Sequence, residues 1–95
     1  MAKLLKGGKN LSITEVEPKD AERGFTLEEC YSLMECNMVE VVNLHDGRIL
    51  ICDEEALLKS ETEINETATA LASLAYQTWY PIFGYCILCK DEEFK

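Results

Sequence analysis

The chain reads as an α+β protein: a five-stranded, mostly antiparallel sheet with two helices on one face, in the order ββ-α-ββ-α-β. Three observations predict it. Runs rich in β-branched residues flank turn dipeptides, two Ser/Thr-x-x-Glu boxes each open a stretch with apolar residues three and four apart, and a last apolar run follows a proline.

Ala2 to Lys6 and Leu11 to Val16 are short apolar-polar stretches separated by Gly7-Gly8-Lys9-Asn10, residues that accept positive φ, and so predict an N-terminal hairpin over 1–16. Glu17 to Gly24 is a polar connector. Thr26-Leu27-Glu28-Glu29 is a capping box, and Leu27, Cys30, Tyr31, Leu33 and Met34 continue from it at helical spacing, which predicts a helix from Leu27 to about Cys36. Met38–Leu44 and Arg48–Cys52 are strands joined through His45-Asp46-Gly47, where Asp-Gly suits a type I′ turn. Valine on consecutive positions implies that parts of these two strands are covered on both faces and that they belong near the middle of the sheet.

Asp53 to Lys59 is acidic and holds one helical turn around Ala56-Leu57-Leu58. Ser60-Glu61-Thr62-Glu63 is a second capping box, and Ile64, Ala68, Leu71, Leu74 and Ala75 predict a helix from about Thr62 to Thr78, stopped by Pro81. Ile82 to Cys89 is a central, largely apolar strand, and Lys90 to Lys95 a charged tail. The 95 residues make one domain, with 26–94 as its core. The sheet face left without helices would expose Val42, Ile51 and Tyr85, which points to a homodimer formed through the sheet or its edge.

Composition excludes several function classes. With 18 acidic against 9 basic side chains the net charge is −9 and the pI about 4.5, the wrong sign for sequence-independent nucleic-acid binding or for an anionic membrane surface. Asp53 to Glu66 alone carries six carboxylates and one lysine. Such a surface either keeps the chain soluble or steers it to a basic partner. No apolar run is long enough to span a bilayer and the first residues lack the apolar region of a signal peptide, so a cytoplasmic location is expected.

Five cysteines without an export signal predict free thiols. Cys86-Ile87-Leu88-Cys89 has a metal-knuckle spacing, but residues i and i+3 of a strand face opposite sides, so no metal and no cofactor is expected. His45 beside Asp46 is turn material, out of reach of any cysteine nucleophile, and Gly7-Gly8-Lys9 lacks the rest of a phosphate loop. Nothing here points to an enzyme. The aromatic group Tyr76, Trp79, Tyr80, Phe83 and Tyr85 is either core or a stacking platform; Trp79 and Tyr80 follow the helix end, where a flat ring can hold a purine. Arg48 and Arg23 are the cations best placed to meet a phosphate.

From Thr26 to Phe94 the chain resembles a family of small domains of unknown function carried by bacteriophages, plasmids and conjugative elements. The resemblance lies in Thr26-Leu27-Glu28-Glu29, Val39-Glu40-Val41-Val42 with Asp46-Gly47-Arg48, Asp53-Glu54-Glu55-Ala56-Leu57-Leu58-Lys59, Asn65-Glu66-Thr67-Ala68, and Ile82-Phe83-Gly84 before Leu88-Cys89. Cys36-Asn37-Met38 stands where that family has a glycine pair and a tyrosine. By analogy with other accessory proteins of such elements, the resemblance implies an inhibitor of host defence. The first expectation is sequestration of a nucleotide-type signal through Trp79 or Tyr80 and Arg48 or Arg23. The alternative is an acidic protein-protein inhibitor set on the basic groove of a nucleic-acid-targeting enzyme.

Overall fold

A computed structural model describes residues 2–6, 12–19, 22, 24–56 and 63–94. The strands are β1 (Ala2–Lys6), β2 (Ser12–Val16), β3 (Val39–Asn43), β4 (Arg48–Asp53) and β5 (Cys86–Lys90); the helices are α1 (Leu27–Met34) and α2 (Glu66–Tyr76). They form one five-stranded sheet of order β2-β1-β5-β4-β3, and every pairing between neighbours is antiparallel. The fold is α+β as expected. Because β1 pairs with β5, the N-terminal hairpin belongs to the same sheet as the rest of the chain; its predicted turn, with Leu11, lies outside the described residues.

The two helices do not share a face. Ala2, Leu4, Ile49, Ile51, Ile87 and Cys89 point to one side and pack with Phe25, Cys30 and Met34 of the α1 region. Leu5, Val42, Leu50, Cys52 and Cys86 point to the other and pack with Ala68, Ala72 and Ile82 of the α2 region. The reason is the composition of the inner strands. Ile49, Leu50, Ile51 and Cys52 are consecutive and all buried; alternate residues of a strand face opposite ways, so each face of β4 is apolar and each needs its own cover. Val42 and Ile51 are therefore buried within one chain, which removes the open face from which a homodimer was expected.

Several boundaries differ from expectation for local reasons. The Thr26 box forms as predicted, with Thr26 Oγ1 accepting the Glu29 N–H at 3.2 Å and Glu29 Oε1 accepting the Thr26 N–H at 3.3 Å. α1 stops at Met34 because Glu35 is left-handed (φ 53°). In the β3–β4 turn the positive φ angles fall on His45 (63°) and Gly47 (89°), not on Asp46. This makes a three-residue loop closed by the Leu44 N–H donating to the Arg48 carbonyl at 3.0 Å. β3 is an edge strand, contrary to the reading of its valines: only Val42 is buried, and Glu40, Val41 and Asn43 are exposed.

α2 begins at Glu66, four residues after the predicted start, with Asn65 as its cap. Of the predicted second box, Ser60 to Thr62 lie outside the described residues, as do Leu57 and Leu58 of the predicted helical turn. Ile64 is held by a bridge to Phe83 and the Glu63 carbonyl accepts the Gly84 N–H at 3.0 Å, and this pairing keeps Glu63 and Ile64 out of the helix. The same bridge and a left-handed Gly84 (φ 78°) delay the last strand to Cys86. Its end is not a loose tail: Asp91–Glu93 form a 3-10 turn and Phe94 bridges to Phe25.

Candidate functional site

The C-terminal end of α2 lies against the β3–β4 turn. Gln77 closes the helix in a left-handed conformation, with its N–H donating to the Ser73 carbonyl, and the Tyr80 N–H then donates to Ser73 Oγ at 3.0 Å. That bond folds the chain back, so the Tyr80 ring stacks on Tyr76 at 5.0 Å and 28°. Tyr76 in turn meets the His45 ring edge-on at 5.1 Å and 69°. The left-handed His45, whose N–H donates to Asn43 Oδ1 at 2.7 Å, turns its imidazole toward the helix. Tyr80 is half-buried, and its phenol is pushed above its ordinary value by burial first and by the nearby Glu40 charge second.

Trp79 does not join this stack; it is 69 % exposed. Arg48 is committed to Asp46. Its Nε and Nη2 donate to Asp46 Oδ2 at 3.0 and 2.6 Å, and its N–H donates to Asp46 Oδ1 at 3.1 Å. The guanidinium holds the Asp46 carboxyl below the usual range, and the carboxylate raises Arg48. This pair occupies a shallow recess of about 490 Å³ lined by Asp46, Gly47, Arg48, Lys90, Asp91 and Glu92, which includes neither Trp79 nor Tyr80. An incoming phosphate would meet three carboxylates and two cations, and Arg48 is bonded to Asp46. Arg23 lies outside the described residues. The structure thus joins Tyr80 to Tyr76 and His45 but leaves Trp79 and Arg48 apart from them.

Two further recesses have the same sign. One of about 420 Å³ between Glu17 and α1 carries Glu17, Glu28 and Glu29 against Lys19; one of about 80 Å³ beside the β3–β4 edge carries Glu40, Asp53 and Glu54 with no cation. Among the described residues twelve carboxylates are exposed, whereas the exposed cations are Lys3, Lys19 and Lys90.

The thiols are built into the core. All five cysteines are free and buried. Cys52 and Cys86 face one side of the sheet and Cys89 the other, so the two sulfurs of the Cys86–Cys89 motif point away from one another. Cys86 Sγ lies 3.5 Å from Cys52 Sγ, and that contact together with burial raises its pKa steeply. Burial pushes Cys30 up to about 11. A thiol held neutral is a poor nucleophile. Sequence reading missed the contact between His45 and Tyr76 and the buried role of Asn65. Neither had a local signal: Tyr80 lies beyond the end of α2, so its spacing from Tyr76 is not a helical pair, and His45 belongs to a turn remote in sequence.

Among the described residues no helix is long and apolar enough to cross a membrane, and no group of three or more metal-ligating side chains is present. No curated protein and no solved structure matches the chain. The model of a domain-of-unknown-function family, DUF3846, matches residues 3–95, and the chain belongs to that family.

Proposed function

We propose that this is a non-enzymatic accessory protein of a phage or other mobile element, acting in the bacterial cytoplasm. In this reading its acidic surface docks on the basic nucleic-acid groove of a host defence enzyme. The observation that carries the reading is the sign of the surface: each of the three recesses holds carboxylates in excess, and among the described residues exposed acids outnumber exposed lysines fourfold. A groove that binds nucleic acid is cationic, and complementary charge raises both association rate and specificity. The test is phage plating on hosts that each carry one nucleic-acid-targeting defence system, with the chain or with its E54K/E55K variant. Restored plating with the chain, lost in the variant, is expected; equal plating with and without the chain on every such host refutes the proposal.

A second reading, sequestration of a small nucleotide-type signal, is supported by Trp79, whose exposed indole is a ready stacking surface. Calorimetry against cyclic dinucleotides and cyclic ADP-ribose variants tests it, with heat for one of them that disappears in W79A as the expected result. Silence across the set removes this reading.

A further inference from the structure

The ladder between β3 and β4 fixes which backbone groups of β3 are spent. The Leu44 N–H donates to the Arg48 carbonyl at 3.0 Å and the Glu54 N–H to the Met38 carbonyl at 3.1 Å, with an uninterrupted register from Val39↔Asp53 to Asn43↔Ile49 between them. Antiparallel pairs alternate between bonded and non-bonded positions, so Met38, Glu40, Val42 and Leu44 direct their N–H and C=O groups at β4. Val39, Val41 and Asn43 direct theirs the other way. β3 ends the strand order, so among the described residues no strand lies beyond it.

Edge strands are ordinarily blunted by a proline, a lysine or a bulge. β3 has none of these, and apolar side chains show on it and just before it: Val41 is 48 % and Met38 49 % exposed. Among the described residues the net charge around the edge is negative. Glu40, Asp46 and Glu54 are exposed there, and the nearby cation, Arg48, is bonded to Asp46. A second copy would bring the same carboxylates and a net −9 against −9, which opposes self-pairing.

We infer that β3 is a strand-addition site for an extended basic segment of a partner protein, bonded through the backbone of Val39, Val41 and Asn43. Its apolar residues lie beside Val41 and its lysines or arginines beside Glu40, since these two side chains occupy opposite faces of β3. The inference rests on the docking function proposed above and names the element that does the docking.

The probe is a synthetic seven-residue peptide alternating lysine with valine, added to the full chain while amide hydrogen exchange is followed residue by residue. Protection of the Val39, Val41 and Asn43 amides should rise about tenfold or more, with Glu40 and Val42 little changed because they are already bonded. Binding should weaken as salt rises from about 50 to about 500 mM, and the same peptide with glutamate for lysine should not bind. Val41→Pro removes an N–H that the free chain leaves unbonded at an edge, so the fold persists, checked by circular dichroism, while the protection is lost. Three results overturn the inference: peptide binding without protection at those amides, protection already present without peptide in a dimeric chain, or full binding by V41P. If V41P keeps full activity in the plating assay while E54K/E55K loses it, charge docking stands and strand addition falls. If neither variant loses activity, docking through the acidic surface falls as well, and equal plating with and without the chain removes the function itself.

Discussion

Asn65 is the residue whose replacement the structure constrains most tightly. Its side chain is fully buried and is used three ways: Oδ1 accepts the Ala68 N–H at 3.1 Å, and Nδ2 donates to the Leu5 carbonyl at 2.9 Å and the Gly84 carbonyl at 2.8 Å. One amide thus caps α2, ties it to β1 and holds the loop before β5. Losing the cap costs about 1 kcal/mol. Leaving buried partners unsatisfied costs about 1–3 kcal/mol for each group that water does not reach. Partial relaxation sets the expected loss for Asn65→Ala at about 3 kcal/mol, read as a lower urea midpoint with an unchanged slope. Asn65→Asp and Asn65→Ser separate the two roles. Both keep an oxygen for the Ala68 N–H, but the carboxylate donates to neither carbonyl and the hydroxyl to at most one, so both should lose about 2 kcal/mol or more. If either variant unfolds within about 0.5 kcal/mol of the parent, capping alone accounts for Asn65 and the clamp argument is wrong.

Other positions give independent checks. Gly47 has φ 89° with nothing within 4 Å of an added Cβ, so Gly47→Ala should cost about 1–2 kcal/mol from backbone strain alone, and an unchanged urea midpoint contradicts that. The Lys19 N–H, followed by the Thr26 bonds, depresses the Glu29 pKa. Its stabilisation is complete above the ordinary carboxylate value and is lost as pH falls through the lowered one, so Glu29→Gln should flatten acid unfolding over about pH 5 to about pH 2; a parallel curve counts against it. With all five thiols buried, reaction with a thiol-specific disulfide reagent should follow unfolding as urea is raised. Rapid labelling of the native chain would show that the core opens locally.

The sequence alone determined the element types and most of their limits. Thr26 and Glu29 are a local pair, so the α1 cap was legible from four residues, and the two hairpins were legible from strand runs around glycine-containing turns. The consecutive apolar residues from Ile49 to Cys52 are compatible with cover on both faces of β4, yet the sequence reading set both helices on one face and left Ile51 on the open one. What they do not state is which helix covers which face, and that depends on where β5 enters the sheet. β5 comes from the far end of the chain and inserts between β1 and β4. This insertion pushes β3 to the edge despite its valines and sets α1 and α2 on opposite sides. It also explains why Asn65 could not be read as a cap shared with β1: its partners Leu5 and Gly84 are remote in sequence, and adjacency along the chain carries no information about them. The same distinction divides the candidate site. The excess of carboxylates is a property of composition, whereas the pairing of Arg48 with Asp46, the stacking of Tyr80 on Tyr76 and the open edge at Val41 exist because the folded backbone brings some groups within bonding distance and leaves others facing water.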